Sequence, residues 1–207
     1  MCGRFTLIIN LSTVVKTFHV QEVASDYRQG NNISPTQQIS AIIHDNKTKL
    51  VNFRWGLIPS WAKDPSIGNK MFNARAETIA DKPSFRSAFI KRRCLIIADG
   101  FYEWQQQEKR KQPFHLSLKS GAPFGFAGLY ETWMSPEQKP VSTCTIITTD
   151  PNELIKPIHD RMPVIVPKDK EVLWINMENQ DQKELASILK PYPAEEMRMT
   201  EGFIPMP

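Results

Sequence analysis

The chain has 207 residues, of which 41% are hydrophobic and 23% charged, with a net charge of +4. These values are typical of a globular protein, and the length fits one domain, which we place at residues 1–207. No apolar run could cross a bilayer and the N-terminus lacks a secretory-signal layout, so we expect a cytoplasmic protein with no membrane contact. The mild positive charge permits a polyanionic partner without requiring one.

Strand-like runs rich in Ile, Val, Phe and Thr dominate the middle of the chain. They cover residues 38–44, 49–58, 94–104, 114–118, 124–132, 143–149 and 163–166. Helical candidates lie at residues 12–20, 84–91, 169–177 and 181–189. A further helix start is indicated at Asp150, as N-cap, with Pro151 at the first helical position. This order predicts an α+β fold on a largely antiparallel, curved or barrel-like sheet, and the tail after residue 192 has no clear pattern.

The three cysteines are Cys2, Cys94 and Cys144. Their odd number and the absence of a C-x-x-C pair argue against a disulfide framework and against a zinc finger. Cys94 and Cys144 lie in apolar strand-like runs, so we expect them in the core. Nothing in the sequence calls for a metal or another cofactor.

Cys2 directly follows the initiator methionine and is the most informative position in the chain. Methionine aminopeptidases remove Met1 when a small residue follows it, which would leave an α-amine and a thiol on one residue. The amine can condense with an aldehyde to an imine, and the thiol can then close a thiazolidine ring on the same carbon. Both groups titrate near pH ~8, so both react at neutral pH. The plainer interpretation is an incidental cysteine, and a retained Met1 would block the amine.

Glu103 lies between Tyr102 and Trp104, and a strand would put it on one face with Phe101. A carboxylate among aromatic rings is either paired or raised in pKa. A raised pKa suits a general acid or base at neutral pH. The alternative is an edge-strand glutamate that points to solvent.

Asn73, Arg75 and Glu77 alternate with alanines, so a strand would align an amide, a guanidinium and a carboxylate on one face. That stripe suits an oxyanion or phosphate cradle, although a solvated face with a Glu–Arg pair is the simpler interpretation.

His159 comes at the end of the helix that we predict after residue 150, beside Asp160 and Arg161. A histidine at a helix C-terminus is placed to hold a proton, and a structural histidine that caps carbonyls is the common alternative. Trp61 follows a Pro-Ser turn and can either stack on nucleic-acid bases or pack in the core.

Six stretches in this order give the chain a recognisable resemblance: MCGRF, NISP, RWGLIPSW, NARAET, ADGFYEW and IHDRMP. They resemble the SRAP family, the SOS-response-associated peptidase proteins that act on abasic sites in single-stranded DNA. The likeness covers the chain from residue 1 to about residue 192. It departs from the family pattern at Asn31, at the Ile33-Ser34 pair and in the tail.

The resemblance implies that the protein itself removes Met1 and that Cys2 then forms a thiazolidine with the aldehyde of an abasic site. The other implied active-site residues are Asn73, Glu103 and His159. The implied DNA-backbone contacts are Arg4, Arg75 and Arg161. The implied fillers of the space beside the lesion are Pro35 and Trp61.

We therefore expect a monomer that crosslinks to abasic sites in single-stranded DNA, with strand incision as a side activity, and that lies on the nucleoid when bound. Two alternatives stay open. One is an amidohydrolase or protease that uses the same Cys2, with Glu103 and His159 as proton carriers. The other is a single-stranded-DNA-binding module in which Cys2 is incidental.

Overall fold

A computed structural model describes residues 2–108 and 110–203. In chain order the strands are β1 (Phe5–Leu7), β2 (Glu22–Val23), β3 (Gly30–Ile33), β4 (Gln38–Asp45), β5 (Lys47–Trp55), β6 (Asn73–Arg75), β7 (Arg93–Ala98), β8 (Gly100–Gln107), β9 (Arg110–Leu118), β10 (Phe124–Met134), β11 (Pro140–Thr149), β12 (Met162–Pro163) and β13 (Met197–Glu201). The α-helices are α1 (Leu11–Thr17), α2 (Arg86–Lys91), α3 (Glu171–Ile175) and α4 (Gln182–Ile188). Short 3-10 turns lie at Pro65–Lys70, Ala76–Thr78, Lys168–Lys170 and Ala194–Glu196.

Five strands form a closed barrel. The antiparallel ladder runs β11-β10-β7-β4-β5, and β5 then pairs in parallel with β11, with Trp55 opposite Cys144. Strands β2, β6 and β12 extend it at its edges. The central strands are apolar on both faces, which is expected where a sheet closes around a core. The predicted α+β class with a barrel-like, largely antiparallel sheet is confirmed.

A second, antiparallel sheet has the order β13-β9-β8-β1-β3. Its inner face packs Phe5, Phe101 and Leu116 into the core that it shares with the barrel. The side chains that alternate with these residues point to the outer face of the sheet, which is largely polar. This sheet carries the N-terminal strand, so it fixes where the chain begins.

The run at residues 94–104 is two strands, so the prediction of one continuous strand is wrong. Strand β7 belongs to the barrel and β8 to the second sheet, and the chain changes sheet at Asp99. The Asp99 carboxylate accepts the main-chain N–H groups of Ile8 and Ile9 and the hydroxyl of Thr6. The hydrophobic pattern does not predict this break between the strands, because the apolar run continues on both sides of Asp99.

The four predicted helices at 12–20, 84–91, 169–177 and 181–189 are present with shorter bounds. The helix predicted to start at Asp150 is wrong: residues 153–158 form successive turns. Asn152, not Asp150, caps the first of these turns by accepting the N–H of Ile155. Asp150 instead pairs with Arg161, which uses the carboxylate that the cap would have needed. The tail holds strand β13, which the sequence did not indicate.

Within the described residues, no helix combines the length and apolar character that a membrane crossing needs.

Candidate active site

Pairing of β1 with β8 brings the start of the chain beside Glu103. Phe5 lies opposite Phe101, and the Arg4 carbonyl accepts the N–H of Tyr102 at 2.9 Å. Continuing this antiparallel register puts the residues before Arg4 alongside Glu103. Cys2 is fully buried there. Burial raises the pKa of its thiol, and the negative charge of Glu103 raises it further, so the thiol is held neutral.

Glu103 is a buried carboxylate with an incomplete set of partners. Its side chain is 2% exposed, and Oε1 has no hydrogen-bond partner among the described residues. Burial raises its pKa to about 7, and the charge of Asp160 acts in the same direction. Of the environments that the sequence left open for Glu103, the structure has the buried one, and the solvent-facing alternative is wrong. At neutral pH this group can both give and take a proton.

His159 faces Glu103 with one ring nitrogen. Its Nδ1 lies 3.0 Å from the main-chain nitrogen of Arg161, 3.1 Å from the Arg161 carbonyl oxygen and 3.1 Å from Asp160 Oδ1. Nε2 lies 3.8 Å from Glu103 Oε2. Burial lowers the pKa of His159, which keeps the ring neutral at neutral pH. The pair therefore places an imidazole nitrogen next to a carboxyl group.

Asn73 has an amide oxygen that is buried without a partner among the described residues. Its Nδ2 group donates to the carbonyls of Phe72 and Ile146, because β6 pairs with β11 at this point. Buried acceptors are satisfied in most folded proteins, so an orphaned one is expected where a ligand group binds.

The three arginines differ in how many hydrogen bonds and ion pairs their side chains make within the protein. Arg75 is exposed and makes no hydrogen bond or ion pair within the described chain. Arg4 donates to Asn32 Oδ1 at 3.1 Å. Arg161 donates to both oxygens of Glu77, at 2.8 and 3.0 Å, and to Asp150 at 3.0 Å.

The Asn73–Glu77 stripe is only partly a strand. Strand β6 ends at Arg75, and a 3-10 turn carries Glu77 off its face. The Glu–Arg pair that the simpler interpretation expected is made, but with Arg161 rather than Arg75.

Trp61 and Pro35 occupy exposed turns. Trp61 is 60% exposed in a turn closed by the Ala62 N–H and the Pro59 carbonyl. Pro35 is half-buried in a turn whose next residue, Thr36, donates its N–H to the carbonyl of the buried Trp55. Because Trp61 is largely exposed, the alternative that it packs in the core is wrong.

Asp160 is a site residue that the sequence did not single out for a role. Its carboxylate lies 3.1 Å from His159 Nδ1 and is 89% exposed. The sequence shows that Asp160 is next to His159. It does not show that the charge of Asp160 raises the pKa of Glu103, because Glu103 lies on a strand that is distant in sequence. Among the described residues, no cluster of three or more His, Cys, Asp and Glu side chains could hold a metal ion.

Comparison with known proteins gives a consistent result. The family model described as "SOS response associated peptidase (SRAP)" matches residues 1–201. The Bacillus subtilis abasic site processing protein YoqW is 49% identical over 201 residues, which cover 95% of this chain and 90% of the relative. The chicken abasic site processing protein HMCES is 33% identical over 69% of this chain, which spans about half (49%) of that relative. A solved protein structure from Bacteroides thetaiotaomicron superposes with a TM-score of 0.87 at 29% identity, over 97% of this chain and 91% of the other.

Proposed function

This chain belongs to the SOS response associated peptidase family, and from that premise we propose that it processes abasic sites in single-stranded DNA by a covalent crosslink through Cys2. The observation that carries the proposal is one constellation. A thiol at the start of the chain is buried beside a carboxyl group of raised pKa, which faces an imidazole nitrogen. Aldehyde capture uses the amine and thiol of Cys2, and the carboxyl group and the imidazole can accelerate its proton transfers.

Release of Met1 is the first step. The Cys2 thiol is next to the peptide carbonyl of the preceding residue, and attack on that carbonyl would transfer the acyl group to sulfur. Water then cleaves the thioester, which releases methionine and restores the thiol. The net reaction is hydrolysis of one peptide bond, and it leaves the α-amine of Cys2 free. Glu103 can take the thiol proton, because its pKa is about 7.

Sugar ring opening comes next, since an abasic site is mostly a closed hemiacetal. The ring oxygen must gain a proton and the hydroxyl on C1′ must lose one. The His159–Glu103 pair can give one of these protons and take the other, because His159 Nε2 lies 3.8 Å from Glu103 Oε2. The opened sugar presents an aldehyde to the α-amine.

Crosslink formation then proceeds through an imine. The amine adds to C1′, and protonated Glu103 gives its proton to the departing hydroxyl, which leaves as water. The thiol sulfur adds to the imine carbon, and its proton passes through Glu103 to the nitrogen. The balance is one aldehyde and one aminothiol in, one thiazolidine and one water out. A strand-incising side reaction would start from the imine, before sulfur adds.

Asn73 would hold the reacting groups in place. Its buried amide oxygen lacks a donor in the described chain, and the α-amine of processed Cys2 or a sugar hydroxyl would supply one.

DNA binding rests on the surface around this site. Arg75 is exposed and uncommitted, Arg4 is held by one neutral partner, and Trp61 presents an open aromatic face. Phosphate contacts of this kind weaken with salt. An indole face can stack on the base next to the lesion, with Pro35 filling the other side. We propose that the protein acts as a monomer in the cytoplasm.

The decisive experiment incubates the protein with two single-stranded oligonucleotides that differ only in one abasic site. We expect an adduct that survives denaturation with the abasic strand only. Intact mass should show the loss of Met1 and, for the adduct, the mass of the strand minus one water. Cys2→Ala should form no adduct but should still bind in a salt-sensitive way. Cys144→Ala is the matched control, because that thiol is equally buried but lies in the barrel.

Two outcomes would favour the alternatives instead. Equal binding to both strands without an adduct would indicate a binding module. Hydrolysis of amides or peptides in trans, with no affinity for DNA, would indicate an N-terminal-cysteine hydrolase.

A further inference from the structure

A second polar cavity lies on the outer face of the sheet β13-β9-β8-β1-β3, away from the Cys2 site. Its volume is about 220 Å³. Its polar lining comes from Asp99, His115, Ser117, Arg198 and Thr200. Neighbouring strands supply four of these side chains in direct register, because Arg198 is opposite Ser117 and Thr200 is opposite His115. The abasic-site chemistry proposed above uses none of them.

A hydrogen-bond chain fixes the protonation of His115. Thr6 Oγ1 donates to Asp99 Oδ1 at 2.6 Å, so the same oxygen can only accept from His115 Nε2 at 3.2 Å. The neutral ring therefore carries its proton on Nε2 and has a lone pair on Nδ1. Nδ1 makes no hydrogen bond within the described chain. The ring fits here because position 100 is glycine, and a side chain there would collide with it.

Arg198 supplies positive charge at the other side of the cavity. Its Nε donates to Ser117 Oγ at 2.9 Å, which holds the guanidinium over the strand pair. Its two terminal nitrogens have no partner among the described residues. A guanidinium that is oriented in this way presents a fork that matches two oxygens of one anion.

The carboxylate of Asp99 repels an anion in the cavity less strongly than its full negative charge would. It accepts three hydrogen bonds, two of them from the main chain of Ile8 and Ile9, and these donors offset its charge. It makes no ion pair with Arg198, which leaves the guanidinium charge available. A singly charged ligand is therefore favoured over a doubly charged one.

We propose that this cavity binds a phosphate monoester group in its monoprotonated form. The two unprotonated oxygens of the phosphate would accept from the terminal nitrogens of Arg198 and from the hydroxyls of Ser117 and Thr200. The remaining P–OH would donate to the lone pair of His115 Nδ1. The second pKa of such a phosphate is about 6, so the protonated form is accessible near neutral pH. A carboxylate or sulfate has no proton to give at this pH.

The cavity is smaller than the ~300 Å³ at which sites for drug-sized molecules begin, so it admits a phosphate with part of its sugar and not a whole nucleotide. The phosphate has two possible sources. One is the terminal phosphate of a DNA strand, and the other is free phosphate. An internal phosphodiester has no P–OH and would not satisfy His115.

The test titrates the whole protein with inorganic phosphate and with sulfate at pH 6.5, by calorimetry. We expect phosphate to bind with a dissociation constant near or below about 1 mM and sulfate to bind at least tenfold more weakly. Arg198→Gln should weaken phosphate binding at least tenfold, and Thr200→Trp should block the cavity without changing its charge. Arg28→Gln, at an exposed arginine whose partner is Asp26, is the matched control and should bind like the wild type.

A second arm identifies the source with short undamaged oligonucleotides, with and without a 5′-phosphate. Tighter binding of the phosphorylated strand that is lost in Arg198→Gln assigns the site to a strand end. Phosphate binding without that difference assigns it to free phosphate. The proposal is overturned if wild-type protein binds neither probe, if sulfate binds as well as phosphate, or if binding survives Arg198→Gln. Failure of the abasic crosslink would leave these results unchanged.

Discussion

Replacing Glu103 with glutamine should change how the stability of the protein depends on pH. Burial raises the Glu103 pKa from 4.5 to about 7, and the charge of Asp160 adds to this. Between these two pH values the folded protein therefore binds a proton that the unfolded chain has lost. The free energy of unfolding must fall as the pH rises through this interval, because the unfolded state then binds fewer protons.

The size of the effect follows from the shift. A difference of about 2.5 pKa units corresponds to about 3 kcal/mol at 1.36 kcal/mol per unit. Most of it should develop between pH 5 and pH 7, where the carboxyl group is ionised in the unfolded state only. Glu103→Gln is neutral throughout, so it should become more stable relative to wild type by about 3 kcal/mol from low to high pH.

Urea unfolding of both proteins at intervals from pH 5 to pH 8.5 measures this difference directly. Titrating groups that do not interact with Glu103 are common to both proteins and cancel. Glu178→Gln, at an exposed glutamate, should give a pH-independent difference. A flat difference for Glu103→Gln as well would refute the raised pKa, and with it the proton-transfer role. The same variant should crosslink 10²–10⁴-fold more slowly, which is the usual range for loss of a general acid–base group.

Four further substitutions separate the roles of the surrounding residues. Asp160→Asn should lower the Glu103 pKa, since burial remains but the added negative charge is gone; a pH–rate profile of crosslinking should shift to lower pH. Arg75→Gln should reduce the slope of log affinity against log salt by about 1 without changing the melting temperature. Arg161→Gln should instead cost about 1–3 kcal/mol in urea unfolding, because its largely buried guanidinium donates to Glu77, Asp150 and the Thr148 carbonyl. Trp61→Ala should weaken single-strand binding by about 1–3 kcal/mol in fluorescence anisotropy and leave stability unchanged, because the side chain is 60% exposed.

Local pattern located the long strands β4, β5, β10 and β11, but it missed the short strands β1 and β3 and the tail strand β13. The aromatic residues around position 103 predicted a carboxylate that is either paired or raised in pKa, with a solvent-facing glutamate as the alternative, and burial raises the pKa of Glu103. The barrel closure between β5 and β11 was not visible, because it pairs residues about 90 positions apart in sequence. The hydrophobic pattern of a strand indicates which of its faces is apolar, but it does not indicate which other strand lies next to it.

Partners of charged groups were the least predictable feature. Asp150 carried every local signal of a helix cap, yet its carboxylate pairs with Arg161. Arg161 also forms an ion pair with Glu77, whereas the strand pattern suggested a pair between Glu77 and Arg75. Each choice is decided by where the chain returns after the turns at 153–158, and no local propensity contains that information.

The corner at Asp99 links the two sites described above. Strand β1 is only three residues long, so its own ladder cannot hold the start of the chain in one place. The Asp99 carboxylate binds the far end of this strand through Thr6, Ile8 and Ile9, while β8 pairs with the near end. Glu103 lies four residues after the same corner, on β8. The position of Cys2 relative to Glu103 is therefore set by a short, clamped segment, and the clamp also orders His115 in the second cavity.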